Sequence, residues 1–133
     1  MDRENVIEKY VKNLDGLIQE IRKIPSEIKT AITQQSPPYE NAVIFLFGYL
    51  FKFFKFEELP EFNDEFPDAQ VMLNGELLFI EFEALSSDFE RHGHDKEMCN
   101  LIVCWRHDWD KCPNNIEVIA LEEFWKQAKS GSL

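Results

Sequence analysis

The sequence predicts an α/β chain in which a mixed β-sheet is flanked by helices, with a helical segment ahead of it. Three observations carry that prediction. Asn74-Gly75 separates two β-rich runs, the strongest short signal for a two-residue hairpin. A stretch at residues 42–51 is apolar on nearly every face, which suits a helix buried in the centre of a sandwich. Beyond the hairpin, two short apolar runs at residues 100–105 and 117–121 stand singly, with a loop and short helix before the first and a closing helix after the second, the order of an α/β layer arrangement.

The elements follow in order. Val6, Tyr10, Leu14, Leu17 and Ile21 recur at helical spacing with polar residues between them. They predict one amphipathic helix over residues 2–23, stopped before Pro25. Its apolar stripe either covers the chain's own sheet or pairs with its twin in a dimer. Ser26 caps a short second helix to about residue 33. Ser36 as N-cap and Pro37 at the first helical position start the third helix, whose body is the apolar run at 42–51. Residues 53–59 are expected as a first strand, and residues 60–66 as an acidic loop leading to Asp68. The hairpin strands are 69–73 and 76–83. Residues 86–98 form a polar loop with a short helix, 108–115 a turn-rich connection, 122–129 the closing helix and 130–133 a frayed end. A chain of 133 residues is expected to form one domain, a helical segment over 1–35 and the sheet core over 36–129.

Composition narrows the functional classes. Three cysteines, an odd number in a chain without a signal peptide, fit a reducing cytoplasm. The longest apolar run is about half of what a membrane span needs, so a soluble cytoplasmic protein with no membrane partner is expected. The net charge of −11 opposes binding to a polyanion, because affinity for phosphate comes from Lys and Arg releasing counterions. Glu57, Glu58, Glu61, Asp64, Glu65 and Asp68 crowd the approach to the hairpin. A nucleic-acid binder of this composition needs cations at the acids and a basic surface from Arg91, Lys96, Arg106 and Lys111, or from a partner subunit.

The acids around the hairpin carry the chemistry. Residues two apart on a strand share a face, so Glu81 and Glu83 point one way while Ile80 and Phe82 point the other. Asp68 opens the partner strand beside them. Like charges this close repel unless a cation or a shared proton lies between them, which suits a site for Mg²⁺ or Mn²⁺. The competing reading is an exposed sheet edge with solvated acids. Leu77 and Phe79, on the glutamates' face, should be buried if that face packs against a helix.

Phe66-Pro67-Asp68, a turn, and then Phe79-Ile80-Glu81-Phe82-Glu83 resembles the PD-(D/E)xK nuclease superfamily, the restriction-endonuclease-like fold. The resemblance covers residues 36–122, and the stretch 79–109 looks like a prokaryotic branch of that superfamily. It implies that Asp68 is the metal-bridging aspartate, Glu81 the second acidic ligand, and the carbonyl of Phe82 a third. Glu83 stands where the family normally has lysine and is either a further ligand or the group that orients water. Glu40, early in the third helix, matches a glutamate that many members add, although any acid in a first helical turn gains from the helix dipole. The implied function is a Mg²⁺- or Mn²⁺-dependent endonuclease, a phosphodiesterase acting on nucleic acid, with DNA favoured over RNA. The alternative is a non-catalytic relative that serves as a binding or regulatory subunit. A symmetric homodimer through the first helix's stripe is the expected assembly, with Trp109 and Trp125 the next surface to consider.

His92 and His94 flank Gly93 just after the hairpin. One of them, with His94 nominated, is expected to face the acids as a proton carrier or phosphate contact, and Arg91 is the other candidate to replace the missing lysine's charge. Zinc binding by His92, His94, Cys99, Cys104, His107 and Cys112 is disfavoured, since no short paired-cysteine spacing occurs. Cys99 and Cys104 read more simply as core residues beside a buried strand. Trp105, Trp109 and Trp125 could stack bases, but the core or a subunit contact is the simpler place for them.

Overall fold

Alternation along the long hairpin strand decides how the molecule is layered. A computed structural model describes residues 3–58 and 60–130. Six helices, α1 (Arg3–Tyr10), α2 (Leu14–Lys23), α3 (Ser26–Ile32), α4 (Glu40–Leu50), α5 (Asp88–Arg91) and α6 (Leu121–Lys129), accompany five strands. These are β1 (Glu61–Phe62), β2 (Ala69–Leu73), β3 (Glu76–Leu85), β4 (Leu101–Arg106) and β5 (Glu117–Ala120), in spatial order β1-β2-β3-β4-β5. The first three are antiparallel and the last three parallel, so the predicted mixed sheet flanked by helices is what forms.

One face of the sheet, carrying Ala69, Val71, Ile80, Phe82, Leu101 and Val103, packs against α4 and α6, with α2 packed on those two helices, in the larger apolar cluster. Val43, Leu46, Phe47 and Leu50 of α4 are all buried in it, each worth roughly 1.5–3 kcal/mol in transfer from water. The opposite face carries Ile102 and Cys104 and is covered by α5 and the loops, with Phe89, Cys99, Trp109 and Ile116 in a second cluster. Glu81 and Glu83 belong to this second face, since Glu81 lies beside Ile102 and Glu83 beside Cys104 in the parallel register.

Four local expectations are corrected. The helix expected over 2–23 is two helices. Asn13 accepts a 2.9 Å hydrogen bond from the Gly16 N–H and caps α2, while the N–H groups of Lys12 and Asn13 donate to the Phe53 carbonyl and Val11 bridges Phe54. The first residue of that span lies outside the described residues. The third helix begins at Glu40, because Pro38 disfavours helical geometry at the preceding Pro37. The strand expected at 53–59 does not form among the described residues, Leu59 lying outside them. Instead Phe51–Phe53 makes a 3₁₀ turn, and Phe54 and Phe56 turn into the core around Phe47. Finally, Leu77 is 47% exposed and Phe79 half-buried, so the glutamates' face is covered only towards its Glu83 end. Residues 131–133 of the expected frayed end lie outside the described residues. No helix among the described residues is long and apolar enough to cross a membrane.

Candidate metal centre

Asp68 and Glu81 meet because the hairpin register places them directly across from each other. Ala69 pairs with Ile80 at the last rung of the β2–β3 ladder, so the next rung outwards is Asp68 opposite Glu81. Asn74 and Gly75 set this register, both with positive φ, at 52° and 79°, as a two-residue hairpin turn requires. Two hydrogen bonds fasten the rung: the Asp68 N–H donates to Glu81 Oε1 at 3.0 Å, and the Phe82 N–H donates to Asp68 Oδ2 at 2.9 Å. Phe82's carbonyl lies on the same strand edge as its N–H, the edge that β2 leaves uncovered beyond Ala69.

The glutamates are not on a solvated edge. Glu81 is 4% exposed and Glu83 is wholly buried. With the carboxylates ionised, neither oxygen of Glu83 meets a hydrogen-bond donor. Glu40, exposed at the first turn of α4, faces Glu83 carboxyl to carboxyl, a contact that becomes a hydrogen bond only when one of the two holds a proton. Among the described residues no lysine or arginine forms an ion pair with Glu40, Asp68, Glu81 or Glu83. Burial, and then the negative charges of Glu40, Glu81 and Asp68, push Glu83 up to about 9. Burial and the adjacent Asp68 push Glu81 up to about 8. Glu40, though exposed as a residue, is raised too, first by desolvation of its carboxyl group and then by Asp68.

Both histidines turn towards these acids. The segment carrying them is anchored by Asp108, whose carboxylate accepts hydrogen bonds from the Ser87 N–H and hydroxyl, each at 3.0 Å, ahead of α5. After α5 the chain reverses at Gly93, which has a φ of 69° in the left-handed region that ends many helices. His94 then lies flat on Phe66, with ring centroids 4.4 Å apart and planes 7° apart, and edge-on to Phe89. Its Nε2 stands 2.9 Å from Glu81 Oε2 and 3.8 Å from Glu83 Oε2. His92 Nδ1 stands 3.2 Å from Glu83 Oε1. Burial and the neighbouring His92 lower the pKa of His94, favouring its neutral imidazole.

The sequence-predicted residues Asp68, Glu81, Glu83, Glu40 and His94 therefore converge, with the Phe82 backbone among them. His92 joins them, where only one imidazole was expected; the Gly93 reversal between the two histidines was the available signal. Arg91 does not join: its guanidinium pairs with Asp88. The residues fit a divalent cation on their own chemistry. A wholly buried carboxylate without a donor when ionised, among three more carboxyls and with no lysine or arginine paired to them among the described residues, is a donor set that either a cation or shared protons would neutralise. The cysteines stay out, as expected: Cys99 and Cys104 are buried free thiols in the second apolar cluster. The apolar cleft around Val6, Ile7, Val11, Ile119 and Phe124 lies at the β5 edge, away from Asp68 before β2 and the glutamates of β3.

No family model matches the chain, and no curated protein or solved structure matches it.

Proposed function

We propose that this chain is a metal-dependent phosphodiesterase acting on nucleic acid, an endonuclease of the PD-(D/E)xK type, with Mg²⁺ or Mn²⁺ as cofactor and DNA favoured over RNA. The observation that supports this reading is the rung of Asp68 and Glu81 at the uncovered end of β2, backed by the buried and donorless Glu83. Asp68 and Glu81, with the Phe82 carbonyl, would hold the cation, and Glu40 stands at the mouth. A divalent ion bound there supplies a water of lowered pKa and neutralises charge gathering on a phosphodiester. His94, stacked on Phe66 and biased towards its neutral form, would carry the proton. Glu83 takes the place that resemblance gives to lysine.

A second reading, a non-catalytic binding or regulatory subunit of the same fold, is favoured by the state of the cations. Arg91 pairs with Asp88, Lys96 with Glu90 at 3.9 Å, and Arg106 in a fork with Glu122 at 2.9 and 2.8 Å. Three of the four residues nominated for a basic surface thus spend their charge within the chain. The deciding experiment is incubation of the purified protein with single- and double-stranded DNA and with RNA in Mn²⁺ or Mg²⁺. Cleavage that Glu81→Ala abolishes while the fold is retained supports the enzyme. Binding of nucleic acid or of a protein partner without cleavage under either metal supports the second reading.

A further inference from the structure

We propose that Glu83, His92 and His94 form a distinct position for a first-row transition dication, selective for ions such as Co²⁺ or Zn²⁺ over Mg²⁺, beside the oxygen-lined position of Asp68 and Glu81. The inference rests on the reading that the pocket holds metal; it names a second ion and the class of that ion, and with that ion bound His94 serves as a ligand and no longer as the proton carrier. One ligand atom from each of the three residues lies within 4.8 Å of the other two. Ligands about 2.1 Å from a common ion stand about 3.0 Å apart in octahedral and about 3.4 Å apart in tetrahedral geometry. His92 Nδ1 stands 3.2 Å from Glu83 Oε1 and His94 Nε2 3.8 Å from Glu83 Oε2, so an ion between the rings would meet both oxygens of the carboxylate, or one of them after a rotation of the Glu83 side chain.

The second sign of an ion is Glu83 itself, wholly buried and aimed at two imidazoles, with both oxygens lacking a donor once it and Glu40 are ionised, the state in which a carboxylate binds metal. Hydrogen bonds from the imidazoles do not explain the arrangement, since His92 is near Glu83 but not in hydrogen-bond geometry. Two nitrogens and one carboxylate make a donor set that borderline transition ions prefer, whereas Mg²⁺ and Ca²⁺ take oxygen. Phe66 and Phe89 hold the His94 ring in place, so the ligand is positioned before the ion arrives. Glu81 lies between the two positions: Oε1 meets the Asp68 N–H and Oε2 faces His94 Nε2 at 2.9 Å, the disposition of a carboxylate able to bridge two ions.

The test is titration of the metal-free full chain with Co²⁺, read by its visible d–d absorption and by X-ray absorption at the cobalt edge. One equivalent should bind with two imidazoles in its first shell, and about a 100-fold excess of Mg²⁺ should leave the spectrum unchanged. His92→Ala with His94→Ala should weaken binding by about 100-fold or more, with circular dichroism verifying the fold. Asp68→Asn should keep the cobalt spectrum. A cobalt site without imidazole scattering, retention of the spectrum in the double histidine variant, or displacement by Mg²⁺ would overturn the proposal. Because the readout is the ion's spectrum, a protein that binds Co²⁺ through these residues and cleaves nothing contradicts the nuclease reading alone.

Discussion

Glu83 occupies the position at which the chain's chemistry and its stability pull against each other. It is wholly buried, and in metal-free protein it and Glu81 hold protons up to about pH 9 and 8. An unfolded glutamate releases its proton near pH 4.3. Between about pH 5 and 9 the unfolded chain therefore binds fewer protons than the folded one, and stability falls as pH rises. Below that window the two states are alike in these groups and no loss is present; above it the loss is complete. The expected result in chelator is a melting temperature that declines from pH 5 to pH 9. Glu83→Gln, which removes the ionisation and supplies an amide donor, should flatten the decline and exceed wild type at pH 8 by about 3–5 kcal/mol. Equal slopes in wild type and variant would show that Glu83 ionises freely in the folded state.

At the scale of elements, the hairpin turn sets the site because one residue of slip would move every acid to the other face. Gly75 has a φ of 79° and open space where a Cβ would stand, so Gly75→Ala meets conformational strain and no clash. It should cost about 1 kcal/mol in chemical denaturation and leave metal binding unchanged. A loss of metal binding would mean the register had shifted. This hairpin, β4, β5 and α6 were legible to within a residue or two, because Asn74-Gly75 and short β-rich runs are local signals. The break between α1 and α2 was not, because Tyr10 and Leu17 both face the same core and their spacing continues across it. Asn13 ahead of Leu14-Asp15 is a cap signal that the longer periodicity masked. The aromatic run from Phe51 to Phe56 resembles a strand in composition but gathers around Phe47, a preference set by tertiary packing. The acids were legible through period-two alternation. That both imidazoles face them depends on how the loop returns over the sheet, which Gly93 between them signals as a reversal but does not aim.

At the scale of the whole molecule, the stripe nominated as a dimer surface is spent inside the chain. Val6, Tyr10, Leu17 and Ile21 are all buried in the larger cluster, and Trp109 and Trp125 are buried as well. Leu17→Glu should therefore unfold the protein, at a cost of about 3–5 kcal/mol, without yielding a folded chain of lower mass. A well-folded variant with altered association would return the stripe to an interface. The burial of all three tryptophans also removes them as base-stacking platforms. With a net charge of −11 and most nominated cations already paired, any approach of a polyanion would need a cation at the acidic cluster. The claim that the acids form such a centre is tested most directly by thermal unfolding of wild type and Asp68→Asn, each in chelator and in Mg²⁺. Mg²⁺ at about ten times its dissociation constant should stabilise wild type by about 1.4 kcal/mol, a rise of several degrees, as any ligand of the native state must. Asp68→Asn should show no rise; an equal rise in the variant, or none in wild type, would contradict the site.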